Sequence, residues 1–283
     1  MNPLSDSVLD HLREVVDAPD LSGTRYELER EIGRGGMGVV YAALDRDLGR
    51  RVAIKVLDVG LAQFAEEARL IASLEHPAIV PIYETGILAD GRLFYAMKLV
   101  EGARLDAYAS RELSLSERLR VIRRIGEALA FAHSRGAMHR DLKPQNIMIG
   151  AFGEVYVMDW GVEGIAGTPQ FRAPEQAIAV ADHRADIYAL GALLRFMLPP
   201  RPPRALRAIA DKAMSAEADL RYPEVSAMLL DLHRFEDGLP VTAFRETPWQ
   251  TAVRFTSRNR VLLGLLAAYL AVRFSLFFFR RFF

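Results

Sequence analysis

Gly33-Arg34-Gly35-Gly36-Met37-Gly38 places four glycines in six residues, between an apolar stretch and the run Val39-Val40-Tyr41. Backbone free of side chains can aim several N–H groups at phosphate oxygens. In a dinucleotide-binding unit such a loop opens a helix. Here it runs into strand-forming residues, so the pattern is strand, loop, strand, a hairpin able to fold over a triphosphate. No Gly-Lys-Ser/Thr follows, which excludes a P-loop. Seventeen residues after Gly38, Lys55 ends the run Val52-Ala53-Ile54-Lys55. An ammonium on a buried strand needs a partner; Glu66 and Glu67, on a helix expected near Phe64–Leu74, are the candidates. The plain alternative is a glycine-rich turn beside a buried ion pair.

Further along come His139-Arg-Asp-Leu-Lys-Pro-Gln-Asn146, then Asp159-Trp-Gly161, Gly167-Thr168-Pro169 and Ala173-Pro-Glu175. Taken singly, Asp159 could cap a turn and Asn146 could satisfy nearby backbone. In this order, and after the glycine loop and Lys55, they resemble the eukaryotic-type protein kinases, specifically the bacterial serine/threonine branch. The resemblance covers roughly residues 25–238.

The resemblance implies a role for each matching position. Lys55 would hold the α- and β-phosphates of ATP, fixed by a carboxylate; Glu67 is chosen over Glu66 because Phe64-x-x-Glu67-Ala fits the family's helix pattern. Asp141 would orient the substrate hydroxyl and accept its proton, and Lys143 would neutralise the γ-phosphate. Asn146 and Asp159 offer oxygen ligands suited to Mg²⁺, with Mn²⁺ as the alternative. Ile32, Gly33, Gly35, Gly36, Gly38, Val40, Ala53, Met97 and Leu99 would line the nucleotide site, Met97 at the back of the adenine pocket. Asp186 would tie the catalytic loop to a core helix, Glu175 would pair with Arg221, and His139 would pack in the core. Of the 36 basic residues only Lys55, Lys98, Lys143 and Lys212 are lysine, so both positions that call for a compact point charge keep one in an arginine-rich chain.

Three departures stand out. Trp160 replaces the usual Phe of the metal-binding tripeptide, and its N–H wants a partner if buried. Only eleven residues separate Gly161 from Ala173, and Thr168 is the sole hydroxyl among them, so the usual activation phosphosite is missing. Between Asp186 and Arg221 the Pro199–Pro203 connector stands where relatives carry a further helix.

These residues need a scaffold. Alternation from Arg25 to Glu101 predicts a strand-rich lobe; from Gly102 to Gly238 the stripes Leu119, Ile122, Ile125, Leu129, Ala132 and Ile187, Leu190, Leu193, Leu194 predict helices. The expected fold is α+β, the bilobal kinase fold with a β-rich N-lobe (25–101), a reduced helical C-lobe (102–238) and a shortened activation segment. A helical extension is expected over 1–24 and a juxtamembrane segment over 239–260. The 283 residues, 51% of them hydrophobic, supply core for one large domain or two modest ones. Zero formal net charge argues against a nucleic-acid partner. The absence of cysteine excludes disulfides, Cys-type zinc sites and thiol catalysis.

Residues 261–279 are apolar with one charge, Arg273. As a helix they would run about 28 Å, near the hydrocarbon thickness. Leu, Val and Phe outweigh the roughly 3 kcal/mol cost of Arg273. A single transmembrane helix is therefore expected, with the kinase lobes facing the cytoplasm, where ATP is. The overall expectation is a membrane-anchored serine/threonine kinase using Mg-ATP on protein substrates. The rival is a pseudokinase, a membrane-held nucleotide-binding scaffold.

Overall fold

The computed structural model describes residues 19–35, 38–57, 71–160, 169–177, 181–244, 256 and 260–282. The first part is a five-stranded antiparallel sheet: β1 (Tyr26–Gly35), β2 (Gly38–Asp45), β3 (Arg50–Leu57), β4 (Ile82–Ile87) and β5 (Leu93–Lys98), in the order β1-β2-β3-β5-β4. The central strand β3 is buried from Val52 to Leu57, so the alternation expected of a one-sided strand is lost there. One face packs Tyr26, Val39, Tyr41, Ile54, Val56 and Phe94 into the upper core. Leu21, in the turn before β1, closes one end of it.

The second part is built on α2 (Leu115–Ser134), which follows the short α1 (Leu105–Ala109). A capping box starts α2: Glu117 N donates to Ser114 Oγ, and Ser114 N donates to Glu117 Oε2. Its expected apolar stripe is buried throughout, as is that of α3 (Arg184–Met197). Helices α4 (Arg204–Ala213) and α5 (Val225–Glu236) complete the lower core. Close approach explains two helix-interior glycines. A Cβ on Gly126 would stand 2.6 Å from a Leu229 methyl, and one on Gly191 would stand 2.6 Å from the Ala213 Cβ.

The structure corrects the sequence reading in two places. Residues 102–238 are not all helical. β6 (Gly102–Arg104), β7 (Ile147–Gly150) and β8 (Val155–Val157) form a second antiparallel sheet, in that order, which a parallel bridge from Ile79 to Val157 joins to the segment before β4. Strands of three and four residues are too short to show a period of two. The expected transmembrane span is also unsupported: among the described residues no helix is long and apolar enough to cross a membrane. The terminal helix α6 (Arg260–Phe282) instead carries arginines at both ends and at Arg273. The helix expected at Phe64–Leu74 is seen only at Ile71–Ala72; most of it, the extension over 1–18 and most of 239–260 beyond Phe244 lie outside the described residues.

Candidate active site

The glycine hairpin is the β1–β2 turn, with Gly35 opposite Gly38 and Gly33 opposite Val40. Gly38 has φ +138°, and a Cβ there would fall 2.0 Å from the Val56 carbonyl oxygen of β3. Only glycine fits so near a neighbouring backbone. Gly35 has open space around it, and Gly36 lies outside the described residues.

Register gathers the predicted nucleotide residues on one side of the sheet. Val40 is opposite Lys55; Ala53, two residues from Lys55, is opposite Met97; Tyr95 is opposite Lys55. Directly opposed residues, and residues two apart on a strand, share a face. Val40, Ala53, Lys55, Tyr95 and Met97 therefore form one surface. Ile32 and Leu99 are half-buried at its margins.

Lys55 is 5% exposed, and its Nζ lies 2.5 Å from Asp159 Oδ1. The partner expected from sequence, Glu67, lies outside the described residues. Burial disfavours the Lys55 ammonium, but Tyr95 and Asp159 outweigh it and its pKa is raised. Burial likewise disfavours the Asp159 carboxylate, and the Lys55 charge reverses the effect, leaving its pKa lowered. Both groups are held charged.

In the segment His139–Asn146, Asp141 Oδ2 receives Lys143 Nζ at 2.6 Å and Asn146 Nδ2 at 3.2 Å; the same Nδ2 donates to the Asp141 carbonyl at 2.8 Å. The single 3₁₀ turn Pro144–Asn146 brings Asn146 back onto Asp141. The Asp141 side chain, 18% exposed, thus lies between Lys143 Nζ and the Asn146 amide.

Among the described residues two that are not glycine adopt the left-handed region, Arg140 at φ 67° and Asp159 at φ 56°. Each such residue costs on the order of 1–2 kcal/mol, so the surroundings must hold them. Buried Asp186 accepts the His139 and Arg140 backbone N–H groups, both at 2.8 Å, and contacts His133 Nε2 at 2.7 Å. Gln176 Nε2 donates to the Arg140 carbonyl at 2.8 Å. Burial opposes the Asp186 charge, but the His133 contact and the other partners hold its pKa low. The tie predicted for Asp186 is therefore present, while His133 and Gln176 were missed. His133 follows Ala132 of the buried stripe on α2, and a histidine there was the available signal.

Three lesser expectations are met. His139 is fully buried, with its Nε2 2.9 Å from the Met158 carbonyl, and burial lowers its pKa. Trp160 Nε1 donates to the Val157 carbonyl at 3.1 Å, and its ring lies 4.9 Å from that of His139. Arg221, its side chain 0% exposed, grips Glu175 through Nη1 at 2.6 Å and Nη2 at 2.7 Å. Glu175 is held ionised by that contact, and its pKa is lowered.

The residues present fit a hard divalent cation only in part-shell form. Among the described residues no cluster of three or more His, Asp or Glu side chains could hold a metal by itself. Asp159 and Asn146 are two oxygen-bearing groups, and Asn146 spends its amide nitrogen on Asp141. Mg²⁺ takes one or two protein ligands and completes its shell with phosphate and water, which suits this pair.

The model of the protein kinase domain matches residues 26–231. A probable serine/threonine-protein kinase of Streptomyces coelicolor is 34% identical over 284 residues, covering 81% of this chain and 42% of that protein. The serine/threonine-protein kinase PknA of Mycobacterium tuberculosis is 40% identical over 197 residues, covering 60% and 46%. The crystal structure of the Mycobacterium tuberculosis PknI kinase domain superposes with a TM-score of 0.62 at 27% identity, covering 74% of this chain and 95% of that one. The chain spans less than half the length of these two curated relatives. With the match running from the first strand of the sheet into α5, and with the geometry above, the chain belongs to the protein kinase domain family.

Proposed function

We propose that the protein is an ATP-dependent serine/threonine protein kinase, transferring the γ-phosphoryl group of Mg-ATP to hydroxyls of protein substrates. The observation that carries this reading is the Lys55–Asp159 contact at 2.5 Å, made between the nucleotide face of the sheet and the second residue after β8, directly before Trp160. In the reading, residues 25–101 hold the nucleotide and residues 102–238 present the acceptor.

Phosphoryl transfer asks for positioning and charge neutralisation more than for covalent chemistry. Lys55 would bind the α- and β-phosphates, and Asp159 with Asn146 would hold Mg²⁺, which neutralises charge on the phosphates. Asp141 would align the substrate hydroxyl and accept its proton. Lys143, now on Asp141, would turn its charge to the γ-phosphate. Retention of Lys55, Asp141, Asn146 and Asp159 together disfavours the pseudokinase alternative, since a scaffold need not keep all four. The test is ³²P transfer from Mg-ATP to the protein itself or to a generic basic protein, with Asp141→Asn as control. Transfer above the control supports the enzyme; equal labelling of both proteins defeats it.

Attachment to a lipid surface through α6 belongs to the same proposal. It is supported by the exposure of Val261, Leu265, Leu266, Leu270 and Val272, together with Tyr269, along the helix. Apolar residues beside arginines suit an interface, where arginine reaches the headgroups. Truncation after Thr256 should move the protein from the membrane to the soluble fraction without loss of ATP binding. Membrane association of the truncated form would place the attachment elsewhere.

A further inference from the structure

Arg104 ends β6 directly opposite Met148 of β7, which is opposite Tyr156 of β8. Opposed residues leave a sheet on the same face, so Arg104, Met148 and Tyr156 stand side by side. Ile147 and Ile149, on either side of Met148, are in the lower core, so this face turns away from it. It looks toward β5 instead: Lys98, next to Met97, donates from Nζ to the Tyr156 hydroxyl at 2.5 Å. The Arg104 side chain then reaches the glycine hairpin. Its Nη2 lies 3.7 Å from the point where a Cβ on Gly33 would stand. Arg104 is exposed, and among the described residues no carboxylate pairs with it. The nearest acid in sequence, Asp106, is engaged with the Ala107 N–H and with Gln145.

A cation that spans the floor and the roof of a cleft, with no acid among the described residues to neutralise it, has its charge available for an anion. A neutral sugar would gain a hydrogen bond from it, whereas a polyphosphate gains charge attraction as well. We propose that Arg104 is a further nucleotide-binding residue, whose guanidinium takes part of the phosphate charge of the bound nucleotide and holds the hairpin at Gly33 down over it. The proposal rests on the nucleotide-binding reading above and adds a residue to it.

The test measures equilibrium binding of ATP, ADP and adenosine, without turnover, to the full chain and to Arg104→Met, Arg104→Lys and Arg104→Glu. Arg104→Met should weaken ATP and ADP about three- to tenfold and leave adenosine within about twofold, as for one exposed charge contact. Arg104→Glu should weaken ATP further, Arg104→Lys should keep most of the affinity, and the differences should shrink as salt is raised. Unchanged ATP affinity in Arg104→Met, or equal weakening of adenosine and ATP, overturns the assignment while leaving the nucleotide site standing. A wild-type protein that binds none of the three overturns the nucleotide-binding reading itself, and the Arg104 proposal with it. Adenosine binding retained by Arg104→Met and Arg104→Glu themselves excludes misfolding as the cause of their loss of ATP.

Discussion

Lys55 and Asp159, 104 positions apart in the chain, meet at 2.5 Å between Nζ and Oδ1. The contact joins the central strand of the upper sheet to the turn after β8 and holds both groups charged. Of the two, Lys55 is the more deeply buried: its side chain is 6% exposed against 34% for Asp159.

Lys55→Met should reduce phosphoryl transfer by at least about a hundredfold, the scale of losing one preorganised charge contact. The fold should persist, since an apolar chain of similar length fills a site lined by Ala53, Tyr95 and Val40. Lys55→Arg should fail as well, because a planar fork does not replace a compact ammonium at this spacing. Steady-state kinetics with a far-ultraviolet circular dichroism check reads both variants; near-normal turnover of Lys55→Arg would refute the role given to Lys55.

Gly38 and Gly35 should respond oppositely to the same change. Gly38→Ala puts a Cβ 2.0 Å from the Val56 oxygen at φ +138°, so the hairpin must open and nucleotide binding should be lost. Gly35→Ala enters open space and should leave thermal stability within about 0.5 kcal/mol. Equal melting temperatures for the two variants would contradict the close approach of β2 to β3.

Asp186→Asn removes the charge that His133 and two backbone N–H groups share. One oxygen then serves where two did, and Arg140 loses part of what holds its left-handed conformation. Denaturant unfolding should show a loss of about 2–4 kcal/mol, with transfer falling even where the protein is folded. Wild-type kinetics in a folded Asp186→Asn protein would show that the loop is positioned by other contacts.

Arg221→Ala leaves Glu175 without its fork and a cavity where a fully buried guanidinium stood, at a cost of about 3 kcal/mol. The pH dependence has a definite sign. Because the folded pKa of Glu175 is depressed, the pair stabilises the fold above the ordinary carboxylate pKa and loses that contribution as pH falls through the depressed value. The stability gap between wild type and Glu175→Gln should therefore be constant near neutrality and close in acid. A gap that widens on acidification would contradict the assignment.

Much of the site was legible from residue order because its chemistry is carried by short local runs. Asp141, Lys143 and Asn146 sit within six positions, and a single 3₁₀ turn is enough to close them on one another. The stripes of α2 and α3 announced their buried faces through a period of 3.6, which depends on local geometry alone. Glu175 and Arg221 were paired through the resemblance, because Ala173-Pro-Glu175 and Leu220-Arg-Tyr-Pro223 match the family's pattern, and the structure brings the two side chains together.

What only the tertiary structure decided involves contacts between elements far apart in sequence. Nothing local distinguishes Asp159 as the direct partner of Lys55, since that depends on how the turn after β8 meets the upper sheet. The β6–β8 sheet escaped because strands of three and four residues carry too few side chains to display alternation, and pairing across more than forty positions supplies their order. Neither His133 nor Arg104 belongs to a motif that the sequence reading used. Packing of α2 against α3 gives the first its carboxylate, and the register of β6 with β7 aims the second at the glycine hairpin. Residue type sets what a side chain can do, but its partners are set by the close packing of whole elements, which no short window of sequence contains.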